Sequence, residues 1–203
     1  MQEQQQPAKR KKTAQRRDEI LQALAHMLEN QHQGRITTAM LAREVGVSEA
    51  ALYRHFPSKA SMYEGLIEFI EESLFTRINL ILKEQTGTLL RCEHLLTLVL
   101  AFAEHNPGLC RLLTGEALVG EDEELRHRIT RVFDRIETQI KQVLRETEIR
   151  EGRKVALPAT AAASMLLAIV EGRIVQFVRS DFRRRPTHEW PIQWAHLAEG
   201  LVH

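Results

Sequence analysis

Between residues 37 and 59 of this chain, hydroxyl, phenol, guanidinium and ammonium groups recur at short intervals: Thr37, Thr38, Ser48, Tyr53, Arg54 and Lys59, with Glu49 and Ala50 among them. Hydrogen-bonding side chains of this kind hold phosphates and read base edges. Arg54 can donate two hydrogen bonds to guanine or pair with a phosphate, and Ala50 can meet a thymine methyl group. Tyr53 can donate its hydroxyl to a phosphate. Glu49 can accept from cytosine, or simply favour the start of its own helix. Thr37, Thr38 and Lys59 fall at helix starts, where hydroxyl, amide and ammonium groups clamp phosphates.

Such groups must be held by short, well-capped helices. The pattern predicts one helix over 39–45, capped by Thr37 or Thr38, a tight bend at Gly46, and a second helix capped by Ser48. Pro57 restricts Phe56 and closes that second helix, and Ser58 caps the next. Ala51, Leu52, His55 and Phe56 then face Leu41, Ala42, Val45 and Val47. Glu49, Ala50, Tyr53 and Arg54 face outward. This is a helix-turn-helix pattern, with the second helix as reader of a DNA major groove. A reader of about seven residues covers only a few base pairs, so specificity needs two copies about 34–36 Å apart on a palindromic site.

The rest of the chain predicts an all-α fold. Ile20, Leu21, Leu24, Ala25 and Leu28 form the buried stripe of a helix over 14–29, ended by the polar segment 30–34 with a turn at Gly34. A long helix over 59–83 carries Leu66, Phe69 or Ile70, Leu74, Ile78 and Leu82 on one face and can join head to body. Further helices are expected over 89–104, 107–113 and 122–150, the last with Leu125, Ile129, Val132, Phe133, Ile136, Ile140, Val143 and Leu144 inward. The helix over 159–178 is so apolar that a partner subunit is the economical way to cover it, with 191–201 as a second interface element. Burial within the chain is the alternative. The organisation is thus an arm (1–13), a helix-turn-helix head (14–58) and a helical body for dimerisation and partner binding (59–203).

Charge is distributed unevenly. Residues 1–60 hold ten Lys or Arg against six Asp or Glu, and the remaining 143 hold 18 against 21. Lys9, Arg10, Lys11, Lys12, Arg16 and Arg17 are read as a basic arm that follows phosphates, with a solubilising tail as the plainer reading. No secretory signal pattern and no uncharged apolar span of 18 residues is evident, which predicts a cytoplasmic protein. Cys92 and Cys110 lie apart in helical contexts, without metal-ligand spacing, and are read as reduced, core or half-core residues. Nine histidines form no zinc motif, and no nucleophile elbow, phosphate loop or dinucleotide fingerprint appears. No enzyme, metal or cofactor is expected.

The segment VSEAALYRHFPSK (47–59), following ITTAMLAREVG, resembles the DNA-binding head of TetR-type regulators. That family implies all-helical dimers joined through the last two main helices, with the residues matching Tyr53 and Lys59 on phosphate. LIEFIEESLFTRINLILK (66–83), NPGLCRLLTGEAL (106–118) and FVRSDFRRRPTHEW (177–190) are similar to the nucleoid occlusion branch of these regulators. The resemblance implies a division regulator bound to palindromic chromosomal DNA, where further dimers load beside the first. When DNA-bound it antagonises rings of the division protein FtsZ. It also implies a body groove for the FtsZ tail, at positions matching Phe69, Arg77, Leu98, Ala101, His105 and Asn106. Ala101 and His105 stand where better-known relatives have glycine and arginine. Histidine is mostly uncharged at neutral pH, so Arg77 and Arg111 are candidates to supply the missing charge. The alternative is a TetR-type transcriptional repressor released by a small-molecule inducer held in a closed apolar pocket.

Overall fold

The computed structural model describes residues 6–30 and 35–203, with side chains from residue 13 onward. The expected turn at Gly34 and the side chains of Lys9, Arg10, Lys11 and Lys12 lie outside the described residues. The elements are helical: α1 (Gln6–Asn30), α2 (Thr38–Val45), α3 (Glu49–Tyr53), α4 (Lys59–Glu84), α5 (Thr88–His105), α6 (Pro107–Leu113), a 3-10 turn (Glu116–Leu118), α7 (Glu123–Glu151), α8 (Ala159–Arg179) and α9 (Trp190–Glu199). The start of α1 at Gln6 precedes the expected one at residue 14, so the backbone of residues 6–13, read as an arm, continues the helix. α3 has five residues, shorter than the seven expected.

Caps set the head's boundaries. Thr37 accepts from the Met40 amide at 3.2 Å and Ser48 from the Ala51 amide at 3.2 Å. Gly46 sits at φ 73°, a left-handed conformation that lets α2 stop and α3 leave at an angle. Ser58 and Ser61 form a reciprocal capping box at the start of α4.

The head packs through Ile20, Leu24, Leu28, Leu41, Leu52 and Phe56, all buried. Each such side chain contributes about 1.5–3 kcal/mol of burial. On α4, Ile70 is buried and Phe69 is 48% exposed, so Ile70 is the member of that pair that belongs to the inward face. α6 crosses α1 backbone to backbone at Gly108. A Cβ there would collide with the Ala25 carbonyl and lie 3.0 Å from the Glu29 nitrogen.

In the body, Arg91 of α5 donates to the carbonyls of Gln85 (2.8 Å) and Leu82 (3.0 Å), closing the end of α4. Arg128 of α7 reaches Glu71 of α4 at 2.6 Å. Residues 154–156 pair with 201–203, with the Lys154 amide 2.8 Å from the His203 carbonyl and an isolated bridge between Val155 and Val202. No sequence signal pointed to that pairing.

α8 has Leu166, Leu167, Val170, Ile174 and Phe177 buried against the protomer, while Met165 and Val175 are exposed and Ile192 of α9 is 74% exposed. Among the described residues α8 is long and apolar enough to cross a membrane by length and composition, and 44% of its apolar window is buried within the protomer. Glu171 and Arg173 interrupt it. Cys92 and Cys110 are both free and buried. Burial pushes each thiol up to about 12, with Glu151 adding to the effect at Cys92.

Candidate DNA-binding interface and adjoining cleft

The reading stripe is built from two capped helices. Glu49, Ala50, Tyr53 and Arg54 are exposed, whereas Ala51 and His55 are half-buried and Leu52 and Phe56 are buried. The inward and outward faces are therefore those expected. The Thr38 hydroxyl donates to the Glu49 carboxylate at 2.7 Å, and the Tyr53 hydroxyl donates to the Thr38 hydroxyl oxygen at 3.3 Å. Thr38, Glu49 and Tyr53 thus form one polar chain between α2 and α3, which fixes the reader's tilt. Glu49 acts here as a clamp between helices. Arg54 follows the reader as its C-cap and projects from the same exposed face.

The structure assigns two supposed arm residues elsewhere. Arg17 donates to the His55 carbonyl at 2.5 Å, and its guanidinium lies 4.2 Å from the Phe56 ring centroid. It closes the end of the reader onto α1. Arg16 pairs with Glu19 at 2.8 Å on the exposed side of α1.

Lys59 stands at the first position of α4, but its ammonium is already paired. It lies 2.6 Å from the Glu121 carboxylate and 5.4 Å from the Tyr63 ring centroid. Arg35 reaches the same carboxylate at 3.0 Å and also donates to the Gly120 carbonyl. The Glu121 side chain is only 9% exposed. Sequence reasoning missed this junction, because Glu121 is 62 positions from Lys59 and belongs to no local pattern.

An open cleft of about 620 Å³ lies beside the head, lined on one side by Asp18, Gln22, His26 and Glu29 of α1. Phe69 of α4, His105 and Asn106 line the other side. Of the six groove positions implied by resemblance, these three meet in the cleft. Arg77, Leu98 and Ala101 lie outside it, on α4 and α5. Helical spacing puts Arg77 two turns from Phe69, and Leu98 and Ala101 on the face of α5 that ends at His105. The Asn106 amide donates to the Phe102 carbonyl at 2.7 Å, and the Phe69 ring stands 6.5 Å from that of Phe102. Arg77 is exposed on α4. Arg111 cannot serve as the substitute cation, because it is 8% exposed, paired with Glu116 and outside this cleft. The α1 wall was invisible to a reading confined to α4 and α5.

Residues 20–66 match the family described as bacterial regulatory proteins, tetR family, and residues 84–202 match the Tetracyclin repressor-like, C-terminal domain of SlmA-like type. Over 187 residues the chain is 61% identical to the nucleoid occlusion factor SlmA of Marinomonas sp. (strain MWYL1) and 58% identical to that of Shewanella woodyi. Each match covers 92% of this chain and 95% of the relative. The fold is similar to that of a TetR transcription regulator from Haloarcula marismortui (TM-score 0.78, 20% identity, 94% of this chain and 100% of the other). It is also similar to that of the regulator FadR from Bacillus subtilis, solved with stearoyl-CoA (TM-score 0.74, 17% identity, 90% and 98%). A helix-turn-helix head with an outward reading stripe, a helical body and this degree of identity place the chain in the SlmA family of nucleoid occlusion factors, a DNA-binding branch of the tetR-family regulators.

Proposed function

We propose that the protein binds palindromic double-stranded DNA as a homodimer and, while bound, engages FtsZ and inhibits division-ring assembly over the nucleoid. The observation that carries this reading is the placement of two distinct surfaces around one helix. α1 supports the reader on one side, and its Asp18–Glu29 segment walls the cleft that holds Phe69, His105 and Asn106. Ala50 and Arg54 read the major groove, while Thr37, Thr38, Tyr53 and Lys59 hold phosphates once the duplex displaces Glu121 from Lys59. The exposed apolar side chains of α8 and α9 support the dimer, which sets the spacing of the two heads. Further dimers load on the DNA beside the first.

In this reading the FtsZ tail lies along the α4–α5 face. Its apolar residues meet Phe69 and Leu98, with Ala101 beneath, and its acidic groups meet Arg77 and the His105–Asn106 end. The inducer alternative gains little support from the cleft between α7 and α8. That cleft is open, and its polar lining includes Asp134, Glu137 and Glu171. Burial and the neighbouring Glu137 and Asp134 raise the Glu171 carboxyl above its usual range.

The test is a titration of the purified dimer with an FtsZ tail peptide, with and without a palindromic duplex enriched from random sequence. Saturable binding that Phe69→Ala or Arg77→Glu weakens, and greater activity against FtsZ filaments with duplex present, are expected. Equal activity at matched protein concentration with and without the duplex would sink the DNA-dependent part of the proposal.

A further inference from the structure

The segment FVRSDFRRRPTHEW (177–190) belongs neither to the reader nor to the Phe69 cleft. It joins α8 to α9 and gathers Arg179, Arg183, Arg184 and Arg185 around Asp181 and Glu189. These arginines are all exposed. Residues 61–203 hold 18 Lys or Arg against 21 Asp or Glu, so the cluster runs against the sign of the body that carries it.

Ser180, Arg183, Arg184, Arg185 and His188 line an open bowl of about 610 Å³. Arg183 donates to the Ser180 carbonyl at 2.9 Å and Arg184 to the Gln176 side chain at 3.3 Å. Both acceptors are neutral, and Arg185 has no side-chain partner among the described residues. Adjacent guanidinium groups repel one another until an anion joins them.

The loop is held stiffly in a costly shape. Among the described residues, the non-glycine residues with positive φ all fall in it: Asp181 at 49°, Phe182 at 58° and Glu189 at 58°. Such backbone persists only where the surroundings fix it, and it collects at sites that present groups to a ligand. Here Arg173 of α8 donates to the Pro186 carbonyl at 2.6 Å and also to the His188 carbonyl. The Phe182 ring lies 5.1 Å from that of Phe177 and 5.1 Å from the Arg111 guanidinium of α6. The Thr187 amide and hydroxyl both donate to Glu104 of α5, the amide at 3.3 Å.

These anchors fix the bowl's place. Glu104 precedes His105, which lines the Phe69 cleft, so bowl and cleft flank the same end of α5. α5, α6 and α8 supply the anchors, and the reader supplies none. A chain leaving the α4–α5 groove at His105–Asn106 therefore meets the arginines next. Guanidinium groups set on a stiff loop suit carboxylates, which they can bind in pairs.

We infer that the Arg183–Arg185 bowl docks an acidic stretch of the same polypeptide whose tail occupies the Phe69 groove, as a second contact continuous with the first. It deepens the FtsZ reading and depends on it, and the two fail in different ways.

The experiment is calorimetric titration of the full-length protein, with saturating palindromic duplex present to occupy the cations of the head. The probes are the FtsZ tail peptide alone and the same peptide extended by a short run of glutamates at either end. Extension at one end should tighten binding about threefold or more at low salt, and less at high salt. Arg183→Ser/Arg184→Ser/Arg185→Ser should abolish that gain and leave duplex affinity unchanged. Weaker binding of the plain peptide as well would put acidic residues of the tail itself in the bowl. Arg185→Glu removes none of the loop's own bonds and should also lose the gain, so it decides alone if the triple variant does not fold. A plain peptide that binds with no gain from either extension, or a gain kept in the variants, overturns this inference alone. Loss of duplex affinity with peptide binding unchanged overturns it in favour of DNA phosphates. No binding of any tail peptide overturns the groove reading and this contact together.

Discussion

The Lys59 ammonium lies 2.6 Å from the Glu121 carboxylate, joining the first residue of α4 to the loop ahead of α7. Arg35 shares that carboxylate at 3.0 Å. Two cations near the reader are therefore neutralised by Glu121, and a duplex whose phosphates reach Lys59 would have to compete with that carboxylate. Glu121→Gln should bind palindromic and random duplexes alike more tightly. Its affinity should fall more steeply with salt, by about 0.9 in log–log slope for each further phosphate that the freed cations neutralise. Titrations at several salt concentrations check both effects, and affinity and slope both unchanged would show that Glu121 does not compete with DNA for these cations.

Arg54 should behave differently from Lys59. Arg54→Gln should cost about 1–3 kcal/mol on the preferred site and relax preference at one base pair. Lys59→Ala should weaken every sequence to a similar degree. Competition binding against a panel of single-base variants separates the two behaviours.

Phe69 is 48% exposed, so truncating it costs little packing. Phe69→Ala should retain its melting temperature and DNA affinity while losing FtsZ-tail binding. A matched set of melts, DNA titrations and peptide titrations tests all three. Loss of fold would move Phe69 from the groove to the core.

The buried thiols and phenol predict alkaline instability. Cys92, Cys110 and Tyr63 are each raised to about 12 from ordinary values of 9.0, 9.0 and 10.0. The folded state therefore keeps protons that the unfolded chain releases, and the stabilisation, complete below about pH 9, is lost as pH rises towards 12. Denaturant midpoints between pH 8 and 11 should fall, less steeply in Cys110→Ala. Both thiols should react with a disulfide reagent at pH 8 only after unfolding.

Gly108→Val should destabilise the head–body contact strongly, because the added carbons meet the α1 backbone at Ala25 and Glu29 rather than a yielding side chain. A drop in melting temperature, or separate transitions for head and body, would report it.

The reader was legible because its information is local. Ser48 as cap, Gly46 at a positive φ and the alternation of Leu52 and Phe56 with Tyr53 and Arg54 all depend on near neighbours. The long helices were legible for the same reason, through the spacing of residues such as Ile129, Ile136 and Ile140. What escaped were partners far apart in the chain. Arg17 looked like part of a basic arm but serves the His55 carbonyl, 38 positions away. Arg111 was a candidate for the groove's missing charge and is buried over Phe182. Local pattern tells which face of a helix turns inward, but it does not tell which distant carbonyl or carboxylate a long cationic side chain will meet.

One wall of the Phe69 cleft is α1, the same rod that carries the reader, and the other is fixed in the body. A tilt of the head about the α1–α6 crossing at Gly108 would change the gap between Gln22 or His26 and Phe69. A peptide lodged there would then act like a feeler gauge, sensing from outside whether the heads had seated on a duplex.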